Sequence, residues 1–308
     1  IAQTAARVIA SSGLLKDGFS FQTGAGGASL ATAMYLEKIM KQQNIHGSYA
    51  QGGITGYLVD MLNEGCFRAL MDVQCFDLKA AASIRDNPNH CEVGAAQYAS
   101  AGAKSSIMDS LDVAVLGATE IDTDFNVNVH TDSSGRIMGG SGGHSDAAAG
   151  SKLSIITAPL FRGRLPIVRD RVTCISTPGK DIDVLVYDIQ DIGCRSFTFI
   201  STMGVAMEAC AEQGKEFVVL DRPNPLGGYK VEGNLVEEGF TSFVSQFPIP
   251  YLYGLTPGEL AVMLNEEGML EGGKKVKLTV VPMTGWHRYM NYRQTEMPWL
   301  LPSPHIPN

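Results

Sequence analysis

Residues 19–84 repeat one pattern of a short apolar run, a turn and an amphipathic stretch. In the first copy, residues 28–42 carry Leu30, Met34 and Ile39 at helical spacing. In this first copy the predicted strand is 19–23, the turn 24–27 and the helix 28–42. In the second copy the strand is 46–50, the turn 51–55 and the helix 56–63. A third strand at 69–75 then precedes a helix at 76–84. Alternation of this kind predicts an α/β fold with a mostly parallel sheet covered by helices.

The turns of this pattern are rich in glycine. Such a turn presents backbone N–H groups at a helix N-terminus, where they can hold a phosphate, a carboxylate or a developing oxyanion. In open α/β sheets, ligands bind at the C-terminal ends of the strands, which is where these turns fall. Glycine also serves simply to make a tight turn from strand to helix, so both interpretations stay open.

A denser glycine segment follows the strand predicted at residues 111–116. Residues 117–122 and an alternating strand at 126–130 lead to Gly139-Gly-Ser-Gly-Gly-His-Ser-Asp146. Four glycines in five positions are not explained by helix or strand formation, since glycine costs about 1 kcal/mol relative to alanine inside a helix. The pattern predicts a function that requires a bare backbone.

Composition limits the classes of partner. The 308 residues carry a net charge of −8 without a basic run, which argues against nucleic acid or an anionic membrane surface as partner. There is no apolar run of about 18 residues and no signal-peptide pattern, and the start at Ile1 suggests a cut edge. The six cysteines form no C-x-x-C pair and no zinc-like spacing with histidine, so we expect no metal site, buried free thiols and a reducing cytoplasm.

Several motifs in the first part of the chain occur together in one known family. Val115-Leu-Gly-Ala-Thr-Glu-Ile-Asp122, Val127-Asn-Val-His-Thr-Asp132 and Met138-Gly-Gly-Ser-Gly-Gly-His-Ser-Asp146 resemble the alpha subunit of citrate lyase. That subunit is similar to the family I CoA-transferases, and the resemblance covers residues 1–186. It implies acyl transfer, in which citrate replaces acetate on the thioester of an acyl-carrier protein. The implied partners are that carrier and a citrate lyase beta-type subunit. No covalently bound cofactor is implied, since the thioester-carrying prosthetic group, or CoA, is the substrate.

The resemblance and the glycine segments select the candidate residues of this half. Glu120 and His144 are the candidate acid and base. The alternative for Glu120 is a carboxylate at a strand end whose hydrogen bonds are all made within the protein. The alternative for His144 is a side chain that holds the loop in shape by hydrogen bonding. Gln51 stands where many CoA-transferases have a nucleophilic Glu, so no covalent acyl-enzyme is expected. The glycine backbone is expected to stabilise the oxyanion. The catalytic candidates are Glu120, His144, Gly142 and Gly143, and the substrate-binding candidates are Gly26, Gly27, Gln51, Gly52, Gly53, Gly139, Gly140, Ser141 and Asp146. Arg162, Arg164 and Arg169 are candidates for binding citrate carboxylates, or solvated surface charges.

The chain after residue 186 carries a different set of sequence motifs. Asp183-Val-Leu-Val-Tyr-Asp-Ile-Gln-Asp-Ile-Gly193, Leu220-Asp-Arg-Pro-Asn-Pro-Leu-Gly-Gly228 and Gly254-Leu-Thr-Pro-Gly-Glu-Leu260 resemble the exo-beta-N-acetylmuramidases, formerly the domain of unknown function DUF1343. The resemblance covers residues 183–308 and implies a glycoside hydrolase with two catalytic carboxyl groups. An active-site Glu-His-Gly motif of that family has no counterpart here. The implied cleft residues are Asp188, Gln190, Asp191, Arg195, Asp221, Arg222 and Asn224.

The sequence therefore predicts a composite of two partial domains. Residues 1–186 form a citrate CoA-transferase-like domain with a parallel or mixed sheet, and residues 187–308 form a partial Rossmann-like α/β domain. The favoured activity is acyl transfer, and the alternatives are a peptidoglycan muramidase and a chimera that binds a carrier or partner without catalysis. A further hypothesis is that the two parts were joined at Asp183-Val-Leu-Val186, a string common to both families.

Overall fold

The computed structural model describes residues 1–24, 26–100, 103, 105–132, 134–159, 161–162, 165–297 and 299. Internal contacts divide the chain into two compact units, unit 1 at Ile1–Asp183 and unit 2 at Val184–Asn308. Both combine strands with helices, and the predicted α/β class is confirmed. Among the helices in these ranges, none is long and apolar enough to cross a membrane.

Unit 1 is built around a parallel sheet. In chain order its elements are α1 (Ala2–Ser11), β1 (Ser20–Thr23), α2 (Gly27–Gln43), β2 (Gly47–Ile54), α3 (Gly56–Asn63), β3 (Phe67–Cys75), α4 (Leu78–Asp86), β4 (His90–Glu92), α5 (Ala95–Tyr98), β5 (Val113–Gly117), β6 (Glu120–Asp122), β7 (Val127–Asn128), α6 (His144–Gly150), β8 (Leu153–Thr157), β9 (Phe161–Arg162), β10 (Leu165–Pro166) and β11 (Val168–Arg169). Strands β8, β5, β1, β2, β3 and β4 lie side by side in that order, and each pair is parallel.

Two small sheets accompany the parallel one. Strand β6 pairs antiparallel with β7 and parallel with β11, while β9 and β10 form an antiparallel pair. The parallel sheet is held by a core in which the rings of Phe19 and Phe21 lie 5.7 Å and 6.2 Å from that of Phe67. All three are at most 1% exposed, so burial of their aromatic surface contributes strongly to stability.

Unit 2 is a smaller layer of the same type. Its elements are β12 (Val184–Tyr187), α7 (Phe199–Glu212), β13 (Glu216–Leu220), α8 (Pro257–Glu266) and β14 (Lys277–Val281), and β13 pairs in parallel with both other strands. The sequence Thr256-Pro-Gly-Glu259 predicts a capping box, and helix α8 starts with it: Thr256 accepts from the Glu259 N–H, and the Glu259 carboxylate accepts from the Thr256 N–H. Between β13 and α8, residues 221–256 form turns and loops.

The predicted glycine turn at residues 51–55 is wrong. Strand β2 continues through Gln51, Gly52 and Gly53 to Ile54, and its register against β3 shifts between the two glycines. Gly52 has a φ of +106°, a backbone conformation that other residues rarely adopt, and a Cβ on Gly53 would lie 1.9 Å from the ring of Phe76. The glycines therefore accommodate a β-bulge and a packed aromatic ring rather than a turn.

Other predicted elements are shorter than expected. The apolar run within residues 181–191 predicts one buried strand with a carboxylate-rich end, but only Val184–Tyr187 form a strand, β12, and Asp188 to Asp191 follow it as irregular chain. The strand predicted at residues 126–130 is reduced to Val127–Asn128. The helix predicted from Phe76 begins at Leu78, because the Asp77 side chain caps it by accepting from the Ala80 N–H.

The cysteines are free thiols, as expected, but most are not buried. Cys66 and Cys210 are buried, Cys75, Cys91 and Cys194 are half-buried, and Cys174 is exposed.

Candidate active site

The C-terminal ends of three strands and the N-terminus of α2 lie together in unit 1. The Gly24 N–H, just after β1, donates to the carbonyl oxygen of Val115 in β5 at 2.7 Å. Ser29, in the first turn of α2, lies with its Oγ 3.2 Å from Thr157 Oγ1 at the end of β8. The first turn of α2 has no acidic residue, and its N-cap Gly26 has no side chain to accept from the helix N–H groups. This end of a 17-residue helix therefore favours an anion.

Four of the predicted substrate-binding glycines border open space. Gly26, Gly27, Gly139 and Gly140 are exposed, and none has a φ in the left-handed region. A Cβ added at any of them would find no atom within 4 Å. Neither backbone conformation nor packing within the described chain accounts for glycine at these positions. Each of them leaves bare backbone facing open space.

Two other predicted glycines have different explanations. Gly142 has a φ of +53°, so its glycine serves the loop conformation. A Cβ on Gly143 would lie 2.5 Å from Cε1 of Tyr98, so Gly143 lets the loop rest directly on that ring. Ser141 is half-buried, and its carbonyl oxygen accepts from the His144 N–H at 3.1 Å. Asp146 lies in the first turn of α6 and is half-buried.

Both ring nitrogens of His144 form hydrogen bonds within the protein. Its Nδ1 lies 2.6 Å from Thr177 Oγ1, and its Nε2 lies 2.8 Å from the carbonyl oxygen of Gly117. Because a carbonyl can only accept, Nε2 carries the proton and Nδ1 accepts from the threonine. Burial lowers the pKa of His144, and the bond to Gly117 opposes this in part. The imidazole is therefore neutral and ties the start of α6 to the end of β5.

Glu120 is fully buried at the start of β6. Its Oε2 accepts from Asn128 Nδ2 at 2.7 Å and from the Thr173 hydroxyl at 2.8 Å, and Arg169 lies 3.4 Å from its Oε1. Asn128 also holds the chain that follows it, since its Oδ1 accepts from the N–H groups of His130 and Thr131. Glu120 thus orients β7 and the loop after it. The side chain of Arg162 and all of Arg164 lie outside the described residues.

Gln51 lies in a buried chain of polar side chains. It is 0% exposed, and its Nε2 donates to Gln22 Oε1 at 2.9 Å and to the sulfur of Met108 at 3.2 Å. Gln22 in turn donates to the hydroxyl of Tyr98 at 2.8 Å. Gln51 therefore connects β2 with β1 and with Met108 through its side-chain amide.

The predicted carboxylates of unit 2 are engaged with internal partners. Asp221 accepts from the Gly258 N–H and the Thr256 hydroxyl, both at 2.8 Å, and so caps α8. Asp188 pairs with Arg222 at 2.6 Å.

Asp191 is 2% exposed and accepts from the Gly193 N–H and from the Tyr253 hydroxyl. Burial raises the pKa of Asp191 above its ordinary value. Its carboxyl group is therefore surrounded by protein atoms.

The remaining predicted cleft residues hold the loops of unit 2. Gln190 donates to the carbonyl oxygens of Asp191 and Pro223, and Arg195 to those of Asn234 and Ile249. Asn224 donates to Leu255 O at 3.0 Å and accepts from the Leu226 N–H at 2.9 Å. These three side chains lie on loops of unit 2, and each forms hydrogen bonds with backbone atoms of those loops.

One group of possible metal ligands occurs among the described residues, away from the predicted site. Oxygen and sulfur atoms of Glu37, Glu64 and Cys66 lie within 4.8 Å of one another. The Lys41 ammonium pairs with both carboxylates, so a positive charge already occupies this position.

A cavity of about 680 Å³ also lies elsewhere, at the N-terminal ends of β2 and β3, where His46, Phe67 and Arg68 line it. None of the predicted site residues contributes to its lining.

Comparison with known proteins identifies the first part of the chain. The family model "Citrate lyase, alpha subunit (CitF)" matches residues 1–194. The chain belongs to the citrate lyase alpha subunit family. A second model, "Exo-beta-N-acetylmuramidase NamZ, N-terminal", matches residues 173–308. The predicted composite of these two similarities is confirmed.

Individual relatives show the same division. The citrate lyase alpha chain of Escherichia coli K12 is 54% identical over 188 residues, which are 61% of this chain and 37% of that protein. The peptidoglycan beta-N-acetylmuramidase NamZ of Bacillus subtilis 168 is 48% identical over 128 residues, covering 42% of this chain and 30% of the relative. The chain thus spans little more than a third of the length of its citrate lyase relatives.

A solved structure supports the fold of unit 1. The crystal structure of a citrate lyase alpha subunit from Streptococcus mutans in complex with citrate is 47% identical, with a TM-score of 0.58. The match covers 59% of this chain and 36% of that one.

Sequence reasoning missed the partners of the candidate residues. Thr173 and Thr177 bind Glu120 and His144, while Gln22 and Tyr98 form the chain that ends at Gln51. The only sequence signal for Gln22 is a polar residue inside an apolar strand. Thr173 and Thr177 lie in irregular chain, where a short hydroxyl side chain carries no periodic signal.

Proposed function

We propose that the citrate lyase alpha-like part of this chain binds citrate and exchanges acetate for citrate on an acyl-carrier-protein thioester. The observation that carries the proposal is the uncapped N-terminus of α2 beside the ends of β5 and β8, with exposed glycines bordering open space. Citrate carries three carboxylates, and helix N-termini favour such anions. Family membership and the citrate complex of the Streptococcus mutans relative support the same ligand.

The chemistry needs no protein nucleophile. A citrate carboxylate oxygen bonds to the acetyl carbonyl carbon, and the thioester sulfur leaves as a thiolate, which gives a mixed anhydride. The thiolate then attacks the citryl carbonyl, and acetate leaves. Each step passes through an oxyanion that backbone N–H groups can stabilise, and loss of one such donor typically costs about 10²–10³ in rate.

The side chains around this site act by holding the backbone in place. His144, neutral and bonded at both nitrogens, fixes the start of α6, and Glu120 fixes β7. The thioester is brought by the prosthetic group of an acyl-carrier protein, or by CoA, and a citrate lyase beta-type subunit would use the citryl product. A cytoplasmic location accords with substrates of this kind.

The test is a transfer assay with the full chain. Purified protein is mixed with acetylated carrier and isotopically labelled citrate, and the carrier is analysed by intact mass spectrometry. We expect the carrier mass to shift from the acetyl to the citryl form with release of acetate. An unchanged acetyl carrier, under conditions where an intact citrate lyase alpha subunit converts it, would refute the activity.

The 48% identity of residues in the second part to a muramidase favours a second candidate, glycoside hydrolysis. Against it, Asp188, Asp191 and Asp221 are bound by Arg222, Tyr253 and the N-terminus of α8. Release of N-acetylmuramic acid from a chromogenic glycoside measures this activity, and release no faster than in buffer would reject it.

A further inference from the structure

Tyr98 lies where the two glycine segments of unit 1 meet. It is the last residue of α5 and is 7% exposed. A Cβ on Gly143 would lie 2.8 Å from the Tyr98 hydroxyl oxygen, and a Cβ on Gly52 would lie 3.6 Å from the same atom. The Tyr98 hydroxyl group thus lies directly against Gly143 and within van der Waals reach of a Cβ at Gly52, so it lies near both segments, residues 51–54 and residues 139–143.

Hydrogen bonds connect that hydroxyl to the strands below it. Tyr98 accepts from Gln22 Nε2 at 2.8 Å, and Gln22 Oε1 accepts from Gln51 Nε2 at 2.9 Å. Gln22 is 4% exposed and Gln51 0% exposed, so these bonds lie where water does not compete for them. This series of hydrogen bonds runs from Gln51 in β2 through Gln22 in β1 to Tyr98 in α5.

Helix α6 is seated on the same cluster at both of its ends. A Cβ on Gly143, the N-cap of α6, would lie 2.5 Å from Tyr98 Cε1, and a Cβ on Gly150, its last residue, would lie 2.6 Å from Met108 Cγ. Met108 in turn accepts from Gln51 Nε2 at 3.2 Å. Between these ends, Ala147 and Ala148 belong to the same buried core as Tyr98 and Met108.

We propose that Tyr98 is a positioning residue, which holds the glycine loop before α6 in fixed register with the bulged end of β2. This inference rests on the proposed function, in which citrate binds the exposed backbone of residues 139–140. Fixed register would present that backbone to citrate in one arrangement. The phenol ring supports the loop from below, and the hydroxyl group ties that support to Gln22 and Gln51.

The test compares Tyr98→Phe with the matched control Tyr49→Phe. Tyr49 lies in β2, as Gln51 does, and its hydroxyl bonds to Ile107 O at 3.1 Å and to Ser110 Oγ at 2.8 Å, so the control also loses hydroxyl contacts. Hydrogen exchange of the full chain without substrate should accelerate about tenfold at residues 51–54 and 139–147 in Tyr98→Phe, since loss of one buried bond has an effect of this order. It should stay unchanged there in the control.

A citrate titration by calorimetry gives a readout that a purely structural role would not change. We expect the citrate dissociation constant of Tyr98→Phe to rise about fivefold, because a smaller fraction of the protein has both segments in register. Acceleration confined to α5, or an unchanged dissociation constant, would overturn the positioning role. If the wild-type chain binds no citrate, the proposed function fails, and the exchange experiment still decides whether Tyr98 couples the segments.

A second variant perturbs one segment and measures the other. Gly143→Ala places a methyl group against Tyr98 from the loop side, since the three atoms nearest to a Cβ on Gly143 all belong to Tyr98. If Tyr98 couples the segments, exchange at residues 51–54 accelerates in this variant as well. Acceleration limited to residues 139–147 would show that Tyr98 transmits nothing and would refute the proposal.

Discussion

At the scale of single residues, the candidate site consists of exposed backbone supported by buried side chains. Glu120 and His144 use their hydrogen-bonding atoms inside the protein, whereas Gly26, Gly27, Gly139 and Gly140 face open space. The exposed backbone of these glycines, rather than the buried side chains of Glu120 and His144, is thus open to a ligand, although the Gly139 N–H already donates to the carbonyl oxygen of His130 at 3.4 Å. Sequence motifs predicted the segments of this site, but they could not tell a side chain that reacts from one that holds the loop.

Replacement of His144 distinguishes a positioning role from a catalytic base. His144→Ala leaves Thr177 Oγ1 and the carbonyl oxygen of Gly117 without their partner, and we expect a loss of about 1–3 kcal/mol in the free energy of unfolding. His144→Gln retains a donor and an acceptor and should lose less than half as much, with citrate transfer retained. Urea denaturation and the transfer assay measure both effects. A Gln variant of normal stability without transfer would instead indicate a base.

The lowered pKa of His144 predicts the direction of a pH effect. Burial keeps the folded-state pKa below the unfolded value of about 6.5, so the unfolded chain binds a proton first as the pH falls. Stability due to this group is therefore complete above pH 7 and declines as the pH falls through 6.5 toward the folded-state pKa. The free energy of unfolding at pH 7.5 and pH 5.5, measured for wild type and His144→Gln, isolates the effect. Equal pH dependence in both proteins would contradict it.

Gly27 should show opposite effects on stability and on binding. It is the first residue of α2, and a Cβ there meets no atom within 4 Å. Gly27→Ala should raise the free energy of unfolding by about 0.4–1 kcal/mol, because alanine loses less backbone entropy on folding. The same methyl group narrows the space beside the helix N-terminus and should weaken citrate binding about tenfold. Thermal denaturation and calorimetry test the two effects, and unchanged citrate affinity would remove the glycine from the ligand site.

At the scale of elements, periodicity predicted most helices and strands to within two residues. Helix α2, predicted at 28–42, spans Gly27–Gln43, and β3, predicted at 69–75, spans Phe67–Cys75. The error at residues 51–55 arose because glycine serves turns and β-bulges alike, and only the position of the Phe76 ring decides between them. The sequence of residues 51–55 does not show where the Phe76 ring packs.

The N-terminus of α8 offers a test of whether Asp221 is a structural cap. Asp221→Ala leaves the Gly258 N–H and the Thr256 hydroxyl without their acceptor and should lower the free energy of unfolding by about 1–2 kcal/mol. Asp221→Asn retains one acceptor oxygen and should lose less, and Glu238→Ala, at an exposed position, is the control with no expected change. Urea denaturation followed by tryptophan fluorescence gives the values. If Asp221→Ala were as stable as the control, the capping role would be wrong.

At the scale of the whole molecule, the chain joins two partial similarities, and its internal contacts divide at a closely similar place. The family models overlap at residues 173–194, and the two compact units meet in sequence at Asp183 and Val184. Strands of parallel sheets have nearly generic apolar sequences, so the short junction strand Val184–Tyr187 carries little information about which fold it belongs to. This is why sequence motifs on either side, rather than the strand, revealed the composite.

The positions of the tryptophans allow the two units to be followed separately. Both tryptophans of the chain, Trp286 and Trp299, belong to unit 2, so their fluorescence reports its unfolding, while hydrogen exchange at residues 111–117 reports unit 1. A ligand at 100 times its dissociation constant stabilises the structure that binds it by about 2.7 kcal/mol. We expect citrate to protect residues 111–117 by about a hundredfold in exchange while the fluorescence midpoint in urea stays unchanged. Equal stabilisation by both probes would show that the chain unfolds as one cooperative structure, and stabilisation of the fluorescence transition alone would place citrate binding in unit 2.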